Sequence, residues 1–155
     1  MTINKADKTH KQIVLKLLDD FRTECHRIIN PEKKIVSTTA QENGGQLFEK
    51  MVDSPTSAIF LAEDSGKYIG VATVNALPQF RYGRYIAEVE EMFVYPEHQG
   101  KGVAIELLNT VEKWAKEHTM SYIRLESGNE LARAHGFYEK AGFRHYAKAY
   151  EKHIK

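Results

Sequence analysis

The 155 residues predict one α/β (α+β) domain spanning 1–155, a mixed and mostly antiparallel sheet with helices on its two faces. Three observations carry that expectation. Val14, Leu18, Phe21, Cys25 and Ile28 recur at helical spacing near the start of the chain. Residues 57–94 then alternate with the two-residue period of strands, and past Gly102 the period returns to helical.

Taken in order, residues 2–5 read as a short first strand, and the helical stripe that follows stops at Asn30-Pro31, because a residue before proline is pushed out of the helical region. A second helix is expected to begin near Thr39, where Glu42 three residues on completes a capping box and Leu47, Phe48, Met51 and Val52 supply an apolar face. Gly44-Gly45 weakens that helix. Ile59, Phe60 and Leu61, the turn Asp64-Ser65-Gly66-Lys67, and residues 68–76 and 85–94 form an antiparallel meander of three strands. Ala104, Leu107, Leu108, Val111, Ala115 and His118 share one face of the next helix, which packs on the sheet with Trp114 at its edge. Residues 121–126 alternate as a strand, residues 130–141 form a helix closed by Gly142, and residues 143–154 make a last strand.

Composition removes several classes of function. Lys and Arg number 22 against 21 Asp and Glu, so no global field draws the chain to nucleic acid or to an anionic membrane. A single cysteine, Cys25, leaves no internal disulfide and reads as a buried structural thiol rather than a nucleophile. Residues 1–6 lack the apolar core of a secretion signal and no run is long enough to cross a bilayer, so the expected location is cytoplasmic. His98 and His135 have no second ligand at metal spacing, and no metal site is expected.

The informative segment is Met92-Phe93-Val94-Tyr95-Pro96-Glu97-His98-Gln99-Gly100-Lys101-Gly102-Val103-Ala104, where a strand ends, a glycine-rich turn follows and an amphipathic helix starts. Consecutive N–H groups of such a turn, with the unpaired donors and positive end of the helix, converge on a phosphate wherever no side chain blocks the approach. Gly100 and Gly102 give that clearance. The spacing does not fit a P-loop, since no Lys-Ser or Lys-Thr follows at the required offset, and the third glycine of a dinucleotide fingerprint is missing.

The segment resembles the pyrophosphate-binding motif of the GNAT family of N-acetyltransferases, Gln/Arg-x-x-Gly-x-Gly/Ala, matched by Gln99, Gly102 and Ala104. Met92-x-Val94-x-Pro96 is similar to the family's lead-in strand, and Ala134-His135-Gly136-Phe137-Tyr138-Glu139-Lys140-Ala141-Gly142-Phe143 to its C-terminal signature. The resemblance implies the GNAT fold, with a central sheet of six to seven strands, about four helices, and fourth and fifth strands splayed apart. It also implies acetyl-CoA as acetyl donor. The pantetheine arm would lie between the two splayed strands along Met92, Phe93 and Val94, and the pyrophosphate on the amides of Gln99, Gly100, Lys101, Gly102, Val103 and Ala104. Asn129, Ala134, Phe137 and Tyr138 would complete the cofactor side, with Asn129 farther from Tyr138 than is usual in the family.

Transfer needs a neutral amine, and an alkylamine of pKa near 10.4 is only about one part in 2,500 neutral at pH 7, a deficit of roughly 4.6 kcal/mol. A carboxylate beside the acetyl group can take the proton and attract the incoming cation. Glu88, Glu90 and Glu91 crowd the expected fourth strand. By strict alternation Glu88 and Glu90 share a face with Met92 and Val94, and Glu91 hints at a bulge. Glu88 falls where histone-type members of the family carry their general base, with Glu90 the second choice; a polar outer strand face accounts for either residue equally well. Tyr138 is similar to the tyrosine that protonates the departing thiolate in the family.

Two functions follow from this reading: an N-acetyltransferase in which a primary amine of a small molecule or peptide attacks acetyl-CoA directly in a ternary complex, or an acyl-CoA-binding sensor or structural module without turnover. The base and phenol candidates favour the enzyme. The loop Phe80-Arg81-Tyr82-Gly83-Arg84-Tyr85 either shapes the acceptor site or is a solvated hairpin. Residues 143–155 are the expected pairing surface of a homodimer.

Overall fold

The structure is a computed structural model that describes residues 1–154. Its strands are β1 Thr2–Lys5, β2 Ser57–Asp64, β3 Lys67–Gln79, β4 Arg84–Val94 and β5 Ile123–Leu125, and they form one sheet in the order β1-β2-β3-β4-β5. The first four pair antiparallel, whereas β5 joins β4 in parallel. Ser65 and Gly66 both take positive φ, the two-residue turn whose twist suits the β2–β3 hairpin.

Both faces of the sheet are covered, which explains why β2 reads as an almost unbroken apolar run rather than a clean alternation. Ala58, Phe60, Ala72, Val74, Ala87 and Val89 pack against Val103, Leu107, Val111 and Trp114 of α4 Val103–Glu117. On the opposite face Ile59, Leu61, Val71 and Phe93 meet Val14 and Leu17 of α1 Lys11–Ile29 and Phe48 of α3 Gly44–Val52. Gly70 of β3 leaves no room for a side chain against β4: a Cβ there would lie 2.8 Å from the Phe93 carbonyl oxygen.

Three expectations are corrected. The helix expected from Thr39 is two helices, α2 Thr39–Glu42 and α3, broken at Asn43 with φ 125°. Its capping box is formed by Thr38 and Gln41, one residue earlier than Thr39 and Glu42. With α5 Ala132–Lys140 the α-helices among the described residues number five rather than about four.

Among the described residues the sheet has five strands, not six to seven, because residues 143–154 form no strand. A strand there would need one apolar face, yet Tyr146, Tyr150 and Ile154, exposed by 59%, 89% and 87%, alternate with Lys148 and Lys152. The β5 edge of the sheet is three residues long and half-buried throughout. Lys155, part of the expected pairing surface, lies outside the described residues.

Candidate active site

The parallel pairing of β4 with β5 consists of Ala87 with Ile123, Glu88 with Arg124 and Val89 with Leu125. Beyond Val89, β4 runs on to Val94 while its other edge stays paired with β3 up to Gly70 opposite Val94. A fork therefore opens at Glu90, with one edge of residues 90–94 unpaired. This is the splay expected of the fourth and fifth strands.

A bulge lies at the mouth of that fork. Ala72 faces Met92 and Val74 faces Val89, so Glu90 and Glu91 together stand opposite Thr73. Thr73, 1% exposed, accepts the Glu91 N–H at 3.1 Å and donates its hydroxyl to the Glu91 carboxylate. The extra residue changes the facing of everything after it. Ala87, Val89, Met92 and Val94 all pack toward α4, so Glu88 lies on the opposite face from Met92 and Val94, not on the same face as strict alternation had it.

Glu88 is 7% exposed and accepts a hydrogen bond from Arg124 Nε at 2.6 Å. It lies in a polar row across the sheet: Ser57 donates to Asn75 Oδ1 at 2.8 Å, Asn75 faces Glu88, and Glu88 faces Arg124. Burial pushes the Glu88 carboxyl above the usual carboxylate range; Arg124 opposes that rise, and the nearby charges of Glu90 and Glu126 add to it. Glu91 is also raised by burial, against the hydroxyl of Thr73. Glu90, exposed at the lip of the fork, is free of ion pairs among the described residues.

Past β4, residues 96–98 make a single 3-10 turn and Gln99 Nε2 reaches back to the Val94 carbonyl at 2.8 Å, closing the loop onto the strand end. Gly100 and Gly102 follow with φ 77° and 86°, backbone that L side chains rarely adopt. A Cβ at either position would meet nothing within 4 Å, so no protein atom crowds the turn at these two residues. In α4 the first amide with a backbone acceptor is that of Glu106, bonded to the Gly102 carbonyl at 3.1 Å. The N–H groups of residues 101–105 have no backbone acceptor among the described residues and cluster at the positive end of the helix. Free amides, an open approach and exposed Lys101 fit a diphosphate.

Tyr138 on α5 is edge-on to Phe137 and Phe143 at ring-centroid distances of 5.3 and 5.7 Å, and no hydrogen bond joins it to β4 among the described residues. Burial raises its phenol, with Cys25 of α1 close by, and burial likewise raises the half-buried Cys25 thiol. Asn129 is exposed, whereas Ala134 and Phe137 are half-buried on α5. His98 is half-buried beside the anion turn, and no group of three or more His, Cys, Asp or Glu side chains among the described residues is arranged to hold a metal. In the 80–85 loop Phe80 is 98% exposed, and the Arg84 guanidinium stacks between Tyr82 and Tyr122 at 4.9 and 4.2 Å. No helix among the described residues is long and apolar enough to cross a membrane.

Two site residues, Arg124 and Thr73, had escaped the sequence reading. Arg124 is a lone charge between Ile123 and Leu125, and Thr73 a lone hydroxyl inside the apolar run 69–74; a single polar residue in a buried strand is the available signal. His135 bonds through Nε2 with the Gly128 carbonyl at 2.9 Å and so ties α5 to the loop that carries Asn129.

Comparison with known proteins agrees with this geometry. The profile of the Acetyltransferase (GNAT) family matches residues 15–143. A streptothricin acetyltransferase of Escherichia coli is 38% identical over 128 residues, covering 77% of this chain and 71% of its own length. An uncharacterized N-acetyltransferase of Methanocaldococcus jannaschii is 29% identical over 98 residues, 62% of this chain; the chain spans only 43% of that relative. Among solved structures, AAC(6')-Iy in complex with a bisubstrate analog of CoA superposes with TM-score 0.74 over 99% of this chain and 97% of that one, at 18% identity, a likeness of fold. The strand fork, the glycine turn and the match over residues 15–143 lead to one conclusion: the chain belongs to the acetyltransferase (GNAT) family.

Proposed function

We propose that this chain transfers the acetyl group of acetyl-CoA to a primary amine of a small cationic acceptor, by direct attack in a ternary complex. The observation that carries the reading is the fork at Glu90 opening beside the turn of Gly100 and Gly102, a slot and an anion seat on one strand end. Amides from Gly100 to Ala104 would hold the diphosphate, the expected Gln99 amide being taken by the Pro96 carbonyl at 3.2 Å, and the free edge formed by Met92, Phe93 and Val94 would hold the pantetheine. When bound, acetyl-CoA supplies a thioester carbonyl that an amine nitrogen attacks, with loss of the CoA sulfur.

Glu88 takes the proton that the amine sheds, and Glu90 at the lip draws the ammonium in. A base whose carboxyl is raised by burial lies nearer its working pH than an exposed one, which improves the match. Tyr138 gives its proton to the departing sulfur; its raised phenol stays protonated at neutral pH, as an acid must. Supporting a cationic acceptor are the carboxylates of Glu90 and Glu126 close to Glu88, with a single guanidinium, Arg124, among them to offset the charge, and the names of the streptothricin relative and of AAC(6')-Iy bound to an acetylneamine analog. The reading places the chain in solution without nucleic acid or membrane, and a second copy is no part of it.

The test is thiol release from acetyl-CoA, followed by absorbance, across a panel of amines that includes diamines and streptothricin-like compounds. Glu88→Gln, Glu90→Gln and Tyr138→Phe are run in parallel. Acceptor-dependent release that falls at least about tenfold in one of the carboxylate variants supports the reading. Tight CoA binding with no release on any amine overturns it in favour of an acyl-CoA-binding module.

A further inference from the structure

We infer that Arg124 is a positioning residue for this reaction: bonded to Glu88 across the last rungs before β4 and β5 part, it fixes that carboxylate at the mouth of the fork. The inference rests on the reading of Glu88 as base and adds what makes that reading workable.

The argument begins with the register. Parallel strands bring Glu88 and Arg124 directly opposite each other, one rung short of the end of the pairing at Val89 and Leu125. Arg124 Nε holds Oε2 at 2.6 Å, while Oε1 has no hydrogen-bond partner among the described residues. One oxygen is thus anchored and the other left to meet a ligand. An unanchored glutamate has several rotatable bonds and freezes only at an entropic cost, so the anchor pre-organises the base.

The second consequence is charge. The groups facing Glu88 are Glu90 on its own strand, Glu126 just past β5, the neutral Asn75 on β3 with Ser57 behind it, and Arg124, against which Tyr146 of the C-terminal segment rests. Burial and the two carboxylates all disfavour a charged Glu88; Arg124 alone favours it. Without that guanidinium the carboxyl would hold its proton to a higher pH, and a smaller share of the protein would carry the free, fixed carboxylate that accepts one from an amine. Sequence alone shows Arg124 as a stray charge in a short strand; the parallel register gives it this partner.

The test uses the full chain with glutamate δ-carbons labelled by carbon-13. The Glu88 signal is identified by its loss in Glu88→Gln, and its pH titration is compared in wild type, Arg124→Gln and Arg124→Lys. The account expects the midpoint to rise by at least about 0.5 in pH in Arg124→Gln and by less in Arg124→Lys, with the acid limb of kcat/KM moving in step. Should Arg124→Gln fail to fold, Arg124→Lys carries the same comparison: its charge stays but its fork is lost, so kcat falls while the midpoint moves little. A midpoint that is unmoved or lower in Arg124→Gln, or a wild-type kcat in Arg124→Lys, overturns the inference while leaving Glu88 as base. An acid limb that survives Glu88→Gln removes Glu88 as base, and the role of Arg124 falls with it.

Discussion

Replacing Gly102 by Ala separates the fold of the glycine turn from its task. Gly102 has φ 86° and caps α4, so a methyl forces an L residue into left-handed backbone at a cost of about 1–2 kcal/mol. Nothing lies within 4 Å of the added Cβ, so no steric term adds to that strain in the free protein. A chain of this size loses about 2–4 °C of Tm per kcal/mol, which gives a fall of about 2–8 °C. The same methyl stands in the turn where a diphosphate would sit. Loss of one hydrogen bond to a charged group, about 1.5–3 kcal/mol, weakens CoA binding by roughly ten- to a hundredfold. Gly66→Ala is the control: its φ is 76° and its Cβ also meets nothing, but it lies in the β2–β3 turn. Thermal melts and isothermal titration with CoA on both variants should show equal losses of Tm and a loss of affinity in Gly102→Ala alone. Unchanged CoA affinity in Gly102→Ala, or an equal loss in Gly66→Ala, refutes the reasoning.

Three further outcomes are expected. Glu91 has a folded-state carboxyl raised by burial, so its contribution to stability is present at low pH and is lost as pH rises from the unfolded value through the folded one; Glu91→Gln therefore gains Tm relative to wild type as pH rises above the ordinary glutamate value of about 4.3, and a gap independent of pH contradicts this. Thr73→Val keeps the shape but strips the partner from the buried bulge amide of Glu91, costing about 1–3 kcal/mol in denaturant titration, with turnover falling as the bulge loosens; an unaltered midpoint counts against it. Leu107→Ala empties a fully buried site between α4 and the sheet and should cost about 2–5 kcal/mol by the same titration, with wild-type CoA contacts retained in the folded protein.

The helical stripe of α1, the meander β2–β4 and the amphipathic α4 were legible because each is set by local period, and both Gly100 and Gly102 proved to occupy the left-handed backbone that their place in the turn suggests. The bulge was legible too, as a surplus glutamate. Its effect on facing was not, because alternation counted through Glu90 and Glu91 misassigns Met92 and Val94, and the plug that registers the bulge, Thr73, lies on another strand. Arg124 was invisible for a similar reason: its partner is 36 positions earlier and meets it only through a parallel pairing. The alternation of residues 143–154 suggested a strand, yet one of its faces mixes Tyr146, Tyr150 and Ile154 with Lys148 and Lys152, and the β5 edge of the sheet is only three residues long.

The central claim is that acetyl passes straight from CoA to an amine held in the fork. A single-turnover mix of protein, labelled acetyl-CoA and a diamine, quenched in acid and resolved by mass spectrometry, tests it most directly. The account predicts label on the amine in the wild type, at least about tenfold less in Glu88→Gln, and none on the protein. Label retained on the protein, at Cys25 or elsewhere, or transfer undiminished in both Glu88→Gln and Glu90→Gln, would contradict it.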